Sequence, residues 1–147
     1  MEKSTIIVVV IFIILIIIGG FLFDWFRPST SEPQNKIVVD VNDMIQVTAP
    51  LSSSTVSSPL TITGKARGGW YFEASFPILL LDDSGAPIAT AIAQAQGDWM
   101  TQDYVPFVAT MTFDAPDSST GTLILKKDNP SDDRRFDASV EIPIRFE

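Results

Sequence analysis

The chain contains neither cysteine nor histidine in its 147 residues. Without a thiol, no disulfide can staple a small core, no thiolate can ligate zinc, and no lipid can be attached through cysteine. Without an imidazole, the Ser-His-Asp and Cys-His nucleophile systems and His-ligated metal sites are excluded too. Carboxylates, Lys, Tyr and Ser/Thr are the side chains left for acid–base or nucleophilic work. Basic residues are also scarce, with 10 Lys and Arg against 18 Asp and Glu and a net charge of −8. Glu2, Lys3, Asp24 and Arg27 cancel, so the whole acidic excess lies beyond residue 27. Nucleic-acid binding calls for a basic patch, and lying flat on an anionic membrane calls for basic segments. Neither suits this body.

What the chain does have is one long hydrophobic run. Thr5 to Phe23, TIIVVVIFIILIIIGGFLF, carries no charge. A helix crossing a hydrocarbon core needs about 20 apolar residues. Each Ile, Leu, Val or Phe near the bilayer centre contributes about 0.3–0.6 kcal/mol, so the sum favours insertion by several kcal/mol. A cleavable signal peptide has a shorter apolar stretch, about 7–15 residues, followed closely by a small-x-small site. Here Asp24-Trp25-Phe26-Arg27-Pro28 follows, large and charged, and Ser29-Thr30-Ser31 comes well after. Residues 1–27 are therefore read as a retained single-pass anchor, with Trp25 and Phe26 suited to the headgroup layer.

Residues 28–44 read as a linker. Pro28 to Asn35 is Pro, Ser and polar, and Lys36 to Met44 leans toward extended structure. From residue 45 to 147 short alternating segments follow one another. Strands are predicted over 45–50, 60–64, 70–81 (bent at Pro77), 86–96, 105–113, 122–126 and 138–146. Val56 is expected to be pinned inward from a Ser-rich loop. Asp82-Asp83-Ser84-Gly85 and Gly97-Asp98 read as turns. About seven or eight strands in roughly 100 residues, with no helical period after the anchor, is the profile of an all-β immunoglobulin-like β-sandwich.

Particular segments narrow this profile. GKARGGWYFEASFPILLLDDSG from Gly64, AQGDWMTQDYVPF from Ala95, LILKKDNPSDD from Leu123 and SVEIPIRF from Ser139 occur in that order. Phe72-Glu73-Ala74-Ser75-Phe76-Pro77 and Gly97-Asp98-Trp99-Met100 are the most specific among them. Over residues 45–147 the chain resembles the immunoglobulin-like domain of bacterial spore germination, often found beside a GerMN germination domain, which this chain does not carry. The resemblance implies an extracytoplasmic β-sandwich in the bacterial cell envelope, with no established catalytic residues and no firm ligand. It also settles the expected orientation. Lys3 and the α-amino group nearly balance Arg27 and Lys36, and an envelope domain places the short N-terminus in the cytoplasm.

Candidate residues are few. Trp70, Tyr71 and Trp99 are candidate ligand-binding rings, forming with Phe72 a surface on which sugars stack. On strand parity Trp70, Phe72, Ala74 and Phe76 share one face, which is expected to be core, leaving Tyr71 as the ring expected to be exposed. Glu73, of opposite parity among aromatics, is expected to pair with Lys65, Arg67 or Arg145 rather than to act as an acid. The Asp-rich loop at 128–137 has ligand types that calcium uses but no EF-hand spacing, and turn capping accounts for it. No catalytic residue, metal site or cofactor is expected.

The favoured reading is a membrane-anchored, non-catalytic binding or scaffolding module, with wall glycan (peptidoglycan) or another envelope protein as partner and no nucleic acid. Two alternatives stand beside it. One is a wall-polysaccharide hydrolase using two carboxylates. The other is a purely structural membrane subunit whose helix packs through Gly19-Gly20.

Overall fold

The structure, a computed structural model, describes the backbone of Asp40 and Val41 and the whole of residues 43–147. The anchor predicted at 5–23 and the tether predicted at 28–35 lie outside the described residues. Among those described, no helix is long and apolar enough to cross a membrane.

The regular structure is strand: β1 (Asp40–Val41), β2 (Ile45–Ala49), β3 (Thr55–Val56), β4 (Leu60–Arg67), β5 (Ser75–Asp82), β6 (Pro87–Ala95), β7 (Tyr104–Met111), β8 (Thr120–Lys126) and β9 (Ser139–Phe146). Single 3-10 turns occupy Gly68–Trp70 and Arg134–Phe136. Hydrogen bonding links the strands in the order β1-β2-β4-β7-β6-β5-β8-β9-β3. All neighbours run antiparallel except β3 and β9, which are parallel. The continuity is thinnest between β6 and β7, which pair only at Gln94↔Val108 and Ala95↔Phe107. At this junction the sheet folds over, and β2-β4-β7 comes to face β5-β8-β9. The Phe76 ring on β5 meets the Phe107 ring on β7 edge to face at 5.0 Å, although β6 lies between them in the sheet order. The expected two packed layers are thus one hydrogen-bonded sheet curled upon itself. Strands β2, β4 and β7 stand where an immunoglobulin-like sandwich has A, B and E, and β5, β8 and β9 where it has C, F and G, while β6 joins the two layers.

Period-2 alternation determines the core. On β9, Val140, Ile142, Ile144 and Phe146 point inward while Glu141, Pro143 and Arg145 stay exposed. Val105, Phe107, Ala109 and Met111 do the same on β7, and Ile62 and Ala66 on β4. Val56 is buried, as its pattern suggests, and its short strand covers the end of β9. Every buried residue in the core is hydrophobic, so no charge is desolvated to build it. With no disulfide across the layers, Phe76, Phe107, Trp70 and Tyr71 fill the centre with interlocked rings. A fully buried aromatic side chain contributes about 1.5–3 kcal/mol by area alone.

One predicted strand is corrected. Trp70 to Leu81 is not continuous, because β5 begins at Ser75. Phe72 and Ser75 exchange both backbone hydrogen bonds, at 3.0 and 3.1 Å, and close a two-residue turn over Glu73 and Ala74. Both turn residues have positive φ, 49° and 62°. Two positive φ values in a two-residue hairpin define a type I′ turn, which ordinarily draws Asn and Gly. Neither Glu nor Ala announces it. The parity counted through residue 74 is lost there, so Tyr71 is buried and Phe72, expected in the core, is 40% exposed. Pro77 does not bend β5. It pairs with Ile92 of β6, and the β8 ladder starts one residue later at Ile78, so the missing N–H costs the sheet nothing.

Candidate functional site

Three rings were predicted to bind a ligand, and the fold separates their roles. Trp70 is 1% exposed and packs edge to face on Phe76 at 6.5 Å. Tyr71 is 4% exposed, and its hydroxyl donates to the Val105 carbonyl at 2.7 Å. Burial pushes the Tyr71 phenol up to about 12. These two rings therefore act as core, and neither offers a face on which a sugar could stack. The reason is the turn at Glu73-Ala74, which turns Tyr71 inward against expectation. Trp99 alone of the three remains partly accessible.

Trp99 belongs to a short surface loop that follows the Gly97-Asp98 turn. The Asp98 carboxylate accepts from the Met100 N–H at 3.0 Å, and the Thr101 hydroxyl accepts from the Asp103 N–H at 3.1 Å. The Arg67 guanidinium donates to the Gln102 carbonyl at 3.1 Å. Behind the loop lies Gly68. A Cβ at that position would sit 2.0 Å from the Thr101 carbonyl oxygen and 2.2 Å from that of Trp99. Only glycine lets the two backbones approach this closely. The loop is thus held against the 3-10 turn, and between them lies a shallow depression of about 500 Å³ edged by Tyr71, Trp99 and Met100. Met100, which the sequence reading passed over, is 78% exposed. An unbranched thioether beside an indole is a polarisable, adaptable contact surface. No period in the sequence marks it, because it sits in a loop. Its place within GDWM was the one available signal.

Beside this depression is a polar cluster that sequence reasoning also missed. On the outer face of β2-β4-β7, the Arg67 guanidinium lies 4.5 Å from the Tyr104 ring centre and the Lys65 ammonium 4.9 Å from it. The Tyr104 hydroxyl donates to the Asp43 carboxylate at 2.8 Å, and Arg67 pairs with the same carboxylate. Those hydrogen bonds, Arg67 first and Tyr104 second, hold Asp43 below the usual carboxylate range. Strand register explains the grouping, since Lys65 faces Pro106 and Gln46 while Arg67 faces Tyr104.

The remaining candidates serve as turn chemistry. Glu73 sits at the tip of its exposed turn, not among buried rings. Asp82 accepts from Ser84 and from the Ala86 N–H, which lowers its pKa and closes the hairpin with Gly85 at φ 83°. In the Asp-rich loop the Asn129 side chain donates to Asp137 and to the Asp133 carbonyl, and Asp133 pairs with Arg135. Among the described residues, no three carboxylates come together as a metal would require. The carboxylates that this fold shifts, Asp43, Asp82 and Asp133, all move down, opposite to what a general acid needs.

The fold defines an all-β immunoglobulin-like domain. The family model for the immunoglobulin-like domain of bacterial spore germination matches residues 44–134, and the chain belongs to that family. No curated protein and no solved structure matches significantly.

Proposed function

We propose that this chain is a non-catalytic binding or scaffolding module of the bacterial cell envelope, held in the membrane by residues 5–23 and displaying its domain outside the cytoplasm. The observation that carries the binding role is the Trp99–Met100 loop. An exposed Met beside a half-buried Trp is fastened by Asp98, Thr101 and Arg67 against a glycine turn. Rigid loops that present apolar side chains contribute to binding by reducing the ordering cost on association. Wall glycan and envelope proteins are the partner classes that suit a domain in that location.

The test uses residues 37–147 as a purified domain, with retention measured on isolated cell wall and on envelope extract. Retention on one of them, reduced at least about tenfold by combined Trp99→Ala and Met100→Ala, is the expected result, since residues at the centre of a contact carry most of its energy. Equal retention of the double variant would move the binding site elsewhere on the domain. No retention of the parent on either material would remove the binding role.

A further inference from the structure

A trough crosses the outer face of β5-β8-β9, and we infer that it binds a short extended peptide with a free amine and a free carboxylate about four residues apart. β6 leads from the turn at 82–85, which borders the trough, to the loop that carries Trp99 and Met100. The two surfaces therefore lie at opposite ends of the strands, and the trough depends neither on that loop nor on the anchor. It measures about 560 Å³. Ligand sites commonly run about 300–1,000 Å³.

Its form follows from the side chains that alternation turns outward. Register sets Leu81, Thr122 and Pro143 in one row across the three strands. Ile124 and Glu141 pair in the row on one side of it, and Thr120 and Arg145 in the row on the other. Thr120 and Thr122 are shorter than the side chains that flank them, so the middle strand β8 forms the bottom of the trough. The turn at 82–85 walls one side. β9 walls the other, backed by Ser53, whose N–H donates to the Pro143 carbonyl at 2.7 Å.

Charge and spacing define the occupant. Among the described residues, neither the Glu141 carboxylate nor the Arg145 guanidinium has a hydrogen bond or an ion pair. The two stand on one face of β9, four residues and about 13 Å apart, with Pro143 between them. The Asp82 carboxylate on the opposite wall is engaged by the Ser84 and Ala86 N–H groups. An extended chain spans about 3.3–3.6 Å per residue, so four residues reach from Arg145 to Glu141. The ligand carboxylate meets Arg145, whose planar fork suits it, and the amine meets Glu141. The Thr120 and Thr122 hydroxyls, which have no partner among the described residues, face the peptide groups between. The dip over Thr122, between Leu81 and Pro143, takes one small aliphatic side chain. The chain carries −8, which repels a purely anionic ligand but not a zwitterion of no net charge.

Tetra-alanine has the required length and termini, and it is titrated into the full chain in mild detergent while backbone amide NMR signals are followed. Saturable shifts are expected at Thr120, Thr122 and Arg145, with none at Trp99. Acetylating the amine or amidating the carboxylate is expected to weaken binding about two- to fivefold each, the size of one exposed ion pair. Di-alanine, spanning about 7 Å, reaches only one of the two charges and is expected to bind no better than a blocked peptide. Glu141→Gln should abolish discrimination against the acetylated peptide and keep that against the amidated one, and Arg145→Gln should do the converse. Both side chains are exposed, so urea unfolding of each variant should match the parent. Glu141→Arg combined with Arg145→Glu should restore discrimination against both blocked peptides, because the peptide then lies in the opposite direction. Absence of saturable shifts in the trough, shifts confined to Trp99 and Met100, or blocked peptides that bind as well as the free one would each overturn the site. Loss of amine discrimination in Asp83→Asn instead of Glu141→Gln would put the amine on the other wall and equally refute the assignment.

Discussion

The turn at Glu73-Ala74 decides which aromatic rings this domain shows to solvent, and replacing it tests that with opposite signs. Ala74 has φ 62° and Glu73 has φ 49°. A non-glycine L-residue in that region carries a cost of about 1 kcal/mol or slightly more. Glycine removes it but adds about 0.5–1 kcal/mol of unfolded-state entropy, while asparagine tolerates the region without that penalty. Glu73→Asn with Ala74→Gly therefore installs the preferred type I′ pair and is expected to stabilise the domain by about 1 kcal/mol. For a domain of this size the melting temperature rises by about 4 °C or more, measured by circular dichroism on residues 37–147. If residues 70–81 instead formed the continuous strand that alternation predicts, Gly and Asn would sit in its interior. Both are poor strand formers there, and the pair would destabilise by about 1–2 kcal/mol. A fall in melting temperature, or a fluorescence change showing Tyr71 exposed, would refute the turn and with it the burial of Tyr71.

Other consequences are as direct. A Cβ on Gly64 would meet the Gln46 carbonyl oxygen at 2.2 Å and the Phe107 ring at 2.7 Å, so Gly64→Ala should cost about 2–3 kcal/mol in urea unfolding, where an exposed Gly85 variant serves only as a turn control. Phe76→Leu removes the ring shared by Trp70, Tyr71 and Phe107, and should cost about 2–3 kcal/mol by lost area and lost ring pairs, read as a lowered urea midpoint. Tyr71 is neutral in the fold up to about pH 12 but ionises near 10 when unfolded. The unfolded state thus binds fewer protons between those values, so the contribution is intact below pH 10 and is lost as pH rises toward 12. Tyr71→Phe should flatten that loss in unfolding measured at pH 8, 10 and 11, while losing about 0.5–1.5 kcal/mol at pH 7 with the Val105 hydrogen bond.

Much of the fold was legible because it depends on local alternation. Ile45, Val47, Ile62, Phe107, Met111, Val140, Ile142 and Ile144 follow period 2, and one buried face makes that pattern binding for each strand. Asp82-Asp83-Ser84-Gly85 was legible as a turn because an Asx side chain and a glycine each supply a local cause. The candidate site was read less well. Tyr71 and Phe72 exchanged places because a turn built from Glu and Ala lacks a sequence signal and breaks the alternation counted through it, while Trp70, in the 3-10 turn beyond, is core as expected. Met100 and the Asp43–Arg67–Tyr104 cluster were missed because loops and cross-strand neighbours have no period along the chain.

The sequence by itself determined the absence of disulfide and histidine chemistry, the acidic body, the alternating strands and the family, since each depends on composition or short-range pattern. Tertiary structure decided that Trp70 and Tyr71 are core while Trp99 and Met100 reach the surface, and that β6 joins the two layers by pairing with β7 only at Gln94 and Ala95. Those outcomes depend on which strands become neighbours and where the sheet folds over. Residues far apart in the chain set them together, through contacts that no local pattern encodes.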